Sequence, residues 1–230
     1  MNTPTSSKSP TSAASWKRPL VIVLCVLAIA ASGWWTWRAN FAGSKHHEEL
    51  HRMIGRVMAE EAIRVLDGRG KILLIAIDTR DVPELKWQLD GFHSALKASA
   101  GITVAKTYDL ETEGKAKYTF GAGLSGRRYV RNVNKNEGID AVVSFAGAPN
   151  FKEGEEKELK FKPKLIAESR APQKLKKLFE QKLIDVAVVS RFEFPNPVSG
   201  TPKNAREMFI QRFQVVTPPD AGKLPAGTDE

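Results

Sequence analysis

The sequence predicts an α/β fold built on a single doubly wound, mostly parallel sheet. Short apolar runs bounded by turn residues alternate with amphipathic stretches throughout, which selects that class. The first run, Ile72-Leu73-Leu74-Ile75-Ala76-Ile77, is apolar at every position, the pattern of a strand buried on both faces. Strand, helix and strand then follow in the order of a βαβ unit, whose right-handed crossover makes the two strands parallel.

Each element follows in turn. From His46 to Leu66, Leu50, Ile54, Val57 and Val65 keep a helical period that Met53, Met58, Ala62 and Ile63 widen, and Asp67-Gly68-Arg69-Gly70 ends the helix. After the first strand, Asp81-Val82-Pro83-Glu84 supplies a capping acceptor, a first-turn proline and a carboxylate three residues on, so a helix starts there with Leu85, Leu89, Phe92 and Leu96 as its buried stripe. Ile102 to Tyr108 is the second strand. Residues 125–136 form a short helix leading to a third strand at Ala141 to Phe145. Leu165-Ile166-Ala167 begins a fourth strand, Leu175, Leu178, Phe179 and Leu183 line a helix, and Val186 to Val189 is the fifth strand. Prolines at 195, 197 and 202 make residues 192–203 a loop. Phe209 to Val216 is expected to close the sheet, and residues 218–230 to be a disordered tail. Lys157 to Lys164 alternates apolar and basic residues and suits an edge strand blunted by lysine and proline, or a basic arm resting on anionic lipid.

The N-terminal region has a different character. Residues 1–18 are rich in Ser, Thr and Pro and read as a disordered cytoplasmic tail. Leu20 to Trp37 runs LVIVLCVLAIAASGWWTW, eighteen residues without a charge, which as a helix spans roughly 27 Å, close to the thickness of a bilayer core. Lys17 and Arg18 precede it, and Trp34, Trp35 and Trp37 end it where indole rings favour the headgroup level. Residues 19–37 are therefore expected to be a single transmembrane helix of a bacterial cytoplasmic membrane. Residues 38–70 then serve as a juxtamembrane linker helix, with the α/β domain of residues 71–217 on the extracytoplasmic side. Ala28-Ile29-Ala30 has the small-x-small form of a signal-peptide cleavage site, which leaves removal of this segment as the alternative.

Charge and composition exclude some functions. The net charge is +9, but Lys8, Lys17, Arg18, Arg38 and Lys45 supply five positive charges before the first acid, so the rest of the chain carries only about +4. Four of the five tryptophans lie in the first 37 residues, away from any basic face. A nucleic-acid partner is not expected, because it would need basic and stacking side chains together. The only cysteine, Cys25, lies in the apolar run and makes neither an internal disulfide nor a cysteine metal cluster.

The phrase ILLIAIDTRDVPELKWQLDGFHSALKASAGITVAKTYDL resembles the first βαβ unit of type I periplasmic solute-binding proteins, the sugar-binding and repressor-like group. KLIAESRAPQKLKKLFEQKLIDVAVVSR is similar to a later strand-helix-strand of that family, and FQVVTPPDA to its closing segment. The resemblance implies a Rossmann-like, periplasmic-binding-protein-like lobe and a non-catalytic binding role. That family closes two lobes around a ligand, and here there are residues for about one.

Two motifs point elsewhere. His47-Glu48-Glu49-Leu50-His51 matches H-E-x-x-H, in which two histidines one turn apart bind zinc and the glutamate acts as base. A third ligand is required, and Glu60, Glu61 or His93 would have to supply it. The flanks are polar, so a solvated helix start is the preferred reading. Gly121-Ala122-Gly123-Leu124-Ser125-Gly126 matches G-x-G-x-x-G, but it does not follow the first strand and no acid follows to take a ribose; a glycine turn is preferred. No Gly-x-Ser-x-Gly elbow is present, and no cofactor is expected.

Ligands of parallel sheets collect outside the carboxyl ends of the strands. Three strands end in polar triplets or pairs there: Asp78-Thr79-Arg80, Glu168-Ser169-Arg170 and Ser190-Arg191. Arg80, Arg170 and Arg191 are expected to face a small polar or anionic solute, with Asp78 and Ser144 fixing its orientation. The alternative is that the acids pair with the arginines and cap the sheet, and that the lobe is a structural or assembly subunit contacting an envelope protein.

Overall fold

The computed structural model describes residues 17–79, 82–110, 124–169, 174–191 and 200–224; side chains before residue 48 are described only at 21–23 and 25–36. The chain divides into two compact units, Met1–Lys45 and His46–Glu230.

The second unit holds the sheet. Its strands are β1 (Gly70–Ala76), β2 (Ile102–Asp109), β3 (Leu124–Ser125), β4 (Ala141–Ser144), β5 (Pro149–Asn150), β6 (Lys164–Ser169), β7 (Val186–Ser190) and β8 (Phe213–Val216). Six of them form one sheet in the order β2-β1-β4-β6-β7-β8, and β3 pairs with β5 separately. All pairs are parallel except β7 with β8. The fold is therefore the mostly parallel α/β sheet that the sequence predicts. The apolar run of β1 lies between two neighbours, and Ile72, Leu73, Leu74 and Ile75 are buried, as an all-apolar strand requires. Edge strand β2 is exposed along much of its length and carries a bulge, where Ile72 pairs with Val104 but Leu73 with Lys106. A bulge and a lysine on an open edge discourage further strand pairing.

The helices are α1 (Lys17–Val65), α2 (Pro83–Leu96), α3 (Gly126–Asn134), α4 (Leu175–Glu180) and α5 (Ala205–Arg212). From β1 the chain crosses one way to β2 and then back past β1 to β4, so right-handed crossovers put α2 and α3 on opposite faces of the sheet. The residues of α1 from Leu50 onward pack in the core beside α2: Leu50, Ile54, Val57, Met58 and Ala62 are buried. The stretch expected to be a linker thus belongs to the domain from its first buried residue. Two glycines set this packing. A Cβ on Gly55 would meet the Gln88 carbonyl, and one on Gly91 would meet the Arg52 carbonyl, so the two backbones approach to contact. Across the same face, Arg206 of α5 bonds Glu60 of α1 at 2.7 Å, and Arg56 bonds Glu60 at 2.9 Å. Burial raises the Glu60 pKa, but the hydrogen bonds from Arg206 and Arg56 outweigh it and hold the carboxyl below its ordinary value.

Several expectations are corrected. Phe209 to Arg212 are helical, and the closing strand is only Phe213–Val216. Asn204 caps α5 by accepting from Glu207 N at 2.9 Å, and Glu207 reaches back to Lys203 N at 2.7 Å, so a capping arrangement overrides the apolar run. Residues 157–163 make no edge strand: Glu155–Glu158 is a 3-10 turn, β6 begins at Lys164, and β6 is an interior strand. The cause is Asn134, whose amide donates to Glu158 O and accepts from Lys160 N, taking the backbone groups a strand partner would use. Pro218–Lys223 is a 3-10 turn and Leu224 is buried, so the ordered domain runs past residue 217. The α2 cap is Val82, without a side-chain bond, and the expected Asp81 lies outside the described residues.

The expected membrane span falls in the first unit. It is helical, and Val21, Ile22, Val23, Val26, Leu27, Ile29, Trp34 and Trp35 are exposed. Among the described residues, however, no helix is long and apolar enough to cross a membrane; the side chains of Leu20, Leu24 and Trp37 are not among them.

Because the α1 and α2 backbones touch at the two glycines, Gly55→Ala is expected to destabilise the domain by about 2–3 kcal/mol through overpacking. Gly222→Ala, where nothing lies within 4 Å, should change stability by less than about 0.5 kcal/mol. Urea denaturation of both variants checks this.

Candidate functional site

A parallel sheet gathers the carboxyl ends of its strands at one edge. The chain leaves β1 in opposite directions, toward β2 and later toward β4, so the topological switch point lies between β1 and β4. Crevices form at such points because the connecting segments diverge there. The rim is built by main-chain bonds: Phe145 N donates to Ile75 O at 2.8 Å, and Leu110 N donates to Ala76 O at 3.0 Å.

Asp78 lies just beyond β1 on this rim. It is buried, with 8% of its surface exposed, and it is partnered. Ser144 ends β4, the strand beside β1, so the structure brings Asp78 and Ser144 to adjacent strands. The Ser144 hydroxyl, however, is fully buried; it donates to Gly147 O at 2.7 Å and accepts from Ala146 N at 3.3 Å. It closes its own loop instead of facing outward. Gly147, at φ 99°, adopts the left-handed backbone that this closure needs. Phe145 packs edge-on against Phe92 of α2, with centroids 5.5 Å apart, which fixes the loop against the helix layer.

Arg191 follows β7, three strands from β1. At roughly 4.8 Å per strand the two positions are about 14 Å apart, farther than one arginine reaches. Its Nε donates to Phe213 O at 3.1 Å, so the side chain leans toward β8 and away from the switch point. Arg80 and Arg170 lie outside the described residues. Glu168 and Ser169, at the end of β6, are buried and partnered. Of the five predicted groups, then, Asp78 lies at the switch point, Ser144 is spent on its own loop, and Arg191 is engaged elsewhere.

The glycine motif also has a definite role. Gly121 to Gly123 lie outside the described residues, but Gly126 opens α3, and a Cβ there would press on Phe151 and on Glu155 Oε2. Glu155 is buried, accepts from Lys152 N at 3.0 Å, and has Arg127 at 3.8 Å. An internal carboxylate thus lies at the positive end of α3, the place a phosphate would take. Sequence reasoning missed Glu155 because it sits in an acidic run that reads as solvated surface. It missed Asn132 as well, a fully buried α3 residue whose amide has no hydrogen-bond partner among the described residues. Tyr129 on the same helix has its pKa raised, chiefly by burial and further by Asp185.

In the H-E-x-x-H segment, His47 is outside the described side chains. His51 Nδ1 accepts from the buried Gln88 Nε2 at 3.2 Å, and its ring lies 6.3 Å from that of Trp87. His51 therefore binds α1 to α2. Among the described residues no group of three His, Cys, Asp or Glu side chains is placed to hold a metal ion.

These features define a periplasmic-binding-protein-like α/β fold with a candidate crevice at the β1/β4 switch point. Solved structures of sugar-binding proteins share the fold. The chain superposes on AraP, an arabinose-binding protein from Geobacillus stearothermophilus, with a TM-score of 0.53 at 14% identity, over 76% of this chain and 63% of that one. It is similar to XylFII in the XylFII-LytSN complex, with a TM-score of 0.50 at 14% identity, over 74% of this chain and 60% of that one. A solute-binding protein of an ABC transporter from Burkholderia graminis, in complex with D-arabinose, matches at a TM-score of 0.47 and 18% identity, over 60% of this chain and 47% of its own. The chain thus spans between about half and two thirds of the length of these proteins. No family profile matches the sequence, and no curated protein sequence is similar to it.

Ser144→Ala removes the hydroxyl that ties Ala146 to Gly147 and is expected to cost about 1–3 kcal/mol, because a buried N–H and a half-buried carbonyl each lose a hydrogen bond. It should leave ligand affinity within about twofold, since the hydroxyl faces its own loop. Denaturation and titration calorimetry on the same variant separate the two effects.

Proposed function

We propose that this protein is a non-catalytic solute-recognition module that takes a small polar or anionic solute at the carboxyl edge of its sheet. The observation that carries this reading is the buried carboxylate Asp78 at the rim of the β1/β4 switch point. A buried acid at the carboxyl end of a parallel strand suits sugar hydroxyls or a cationic group directly, and Arg80 and Arg170, which follow the β1 and β6 ends in sequence, would supply charge-assisted bonds to an anion. The fold shared with arabinose-binding AraP supports a small polar solute.

The proposal includes a membrane tether. Residues 19–37 hold a charge-free apolar run ended by tryptophans and preceded by Lys17 and Arg18, which favours a cytoplasmic N-terminus and an extracytoplasmic domain. The exposed apolar side chains from Val21 to Trp35 support this reading. So do Ser32 and Thr36, whose hydroxyls donate to Ala28 O at 2.6 Å and Ser32 O at 2.8 Å, hiding their polarity on the helix backbone.

One observation favours a second reading, an assembly subunit of a cell-envelope complex. Ser144 and Arg191, two of the five predicted ligand groups, are occupied by the protein's own backbone. That similarity extends to XylFII, solved in a complex with LytSN, is compatible with protein contact at this fold.

A thermal-shift screen of the full chain against sugars and organic acids discriminates the two. A ligand at 100 times its Kd contributes about 2.7 kcal/mol to the native state, which raises the melting temperature by about 5 °C or more at this size. The shift is expected for the wild type and lost in Asp78→Ala. No shift with any compound, together with specific co-purification of an envelope protein, establishes the assembly role instead.

A further inference from the structure

The opposite edge of the sheet has a separate character. The turns at residues 67–71, 97–101, 135–140, 160–164 and 181–185 all lie at the amino ends of the strands, joined by a continuous series of main-chain bonds. Gly70 N donates to Gly101 O at 2.9 Å, Asp140 N to Lys71 O at 2.9 Å, Lys164 N to Asp140 O at 3.0 Å, and Asp185 N to Leu165 O at 2.9 Å. These turns carry eight Lys or Arg residues against four acids.

Three of the four acids are committed locally, and the fourth, Asp67, is exposed beside Arg69. Asp140 Oδ2 accepts from Lys71 N at 2.8 Å, Asp185 accepts from Leu165 N and Lys164 Nζ at 2.9 Å each, and Glu137 pairs with Lys160 at 3.6 Å. Arg69, Lys71, Lys97, Lys135, Lys162 and Lys182 are exposed and make no side-chain ion pair among the described residues. Helix dipoles account for Lys97, Lys135 and Lys182, which follow the C-termini of α2, α3 and α4. They do not account for the other three. With strands about 4.8 Å apart, the cations from the β2 end to the β7 end span roughly 20 Å.

We propose that this amino-terminal edge is a docking surface for an acidic segment of another protein. A bilayer would be met by apolar side chains among the cations, and the exposed large apolar residue described in the second unit, Ile210, lies in α5 and not in these turns. Single-stranded nucleic acid would need aromatic faces for stacking, and the only aromatic side chain of these turns, Phe161, is packed against the core. Unpaired lysines on rigid, hydrogen-bonded turns suit a flexible chain of carboxylates, held by charge and weakened by salt. The surface lies at the opposite edge from Asp78, so it stands or falls independently of solute binding.

The test is binding of fluorescein-labelled poly-L-glutamate to the full chain in uncharged detergent, read by anisotropy at low and at physiological salt. The triple variant Lys97→Glu, Lys135→Glu and Lys162→Glu is expected to weaken binding at least tenfold. A charge-matched variant elsewhere, Lys106→Glu, Lys152→Glu and Lys203→Glu, should weaken it less than twofold. The glutamine triple at 97, 135 and 162 guards against a folding artefact and should lose binding to an intermediate extent, with an unchanged melting temperature. The proposal is overturned by absent binding or by equal losses in both glutamate triples. It is overturned equally if anionic vesicles or oligouridylate bind through the same three lysines more tightly than polyglutamate.

Discussion

The constraint on which the rest of the structure depends is burial of the central strands on both faces. β1, β4, β6 and β7 are covered above and below, and their residues are buried almost without exception. No polar side chain is tolerated in such a layer unless it is satisfied, and the polar groups accordingly collect where the strands end. Ser144, Glu168 and Ser169 all sit at carboxyl ends. Lys71, Asp140, Lys164 and Asp185 sit at amino ends. Any chemistry this domain performs is forced to one of two edges, and the two edges differ: one holds the switch point with its buried acid, the other a set of exposed cations, six of them without an ion pair among the described residues.

The helix layers hold these edges in place. On one face, α1 and α2 approach so closely that Gly55 and Gly91 admit no side chain, and Arg206 ties α5 to the same face through Glu60. On the other, the 3-10 segment after β5 closes over α3: Glu155 meets the start of the helix and Asn134 near its end grips residues 158 and 160. A segment that looks like a charged loop in sequence is thereby made rigid, and the end of α3 that suits an anion is taken by the chain itself.

The sheet was legible in the sequence because its signal is local. An apolar run such as Ile72 to Ile77 is buried on both faces, and four of the six strands of the main sheet, β1, β4, β6 and β7, fall where such runs lie. The errors occur where side chains bond distant backbone. Asn204 and Glu207 turn Phe209 to Arg212 into helix, and Asn134 draws residues 158–160 away from strand pairing; neither bond is visible as a period. The site was legible only in position. Asp78 follows the carboxyl end of β1, and only the strand order places the switch point beside it; the inward turn of Ser144 depends on Gly147 adopting a left-handed conformation, and the lean of Arg191 depends on β8 running antiparallel beside β7. Neither follows from residue type. The cationic edge escaped the sequence reading for a related reason: its lysines are scattered over more than a hundred residues, and only the parallel topology assembles them.

The central claim is that solute recognition, where it occurs, is confined to the carboxyl edge around Asp78. The most direct measurement is backbone amide NMR of the protein titrated with sugars and small organic acids. The account predicts saturable shifts at Thr79, Phe145 to Ala148 and Ser169, with Lys71, Ser99, Asp140 and Asp185 at the far edge unmoved. Shifts centred on those far residues, or a saturating ligand that leaves Thr79 and Phe145 unperturbed, would contradict it.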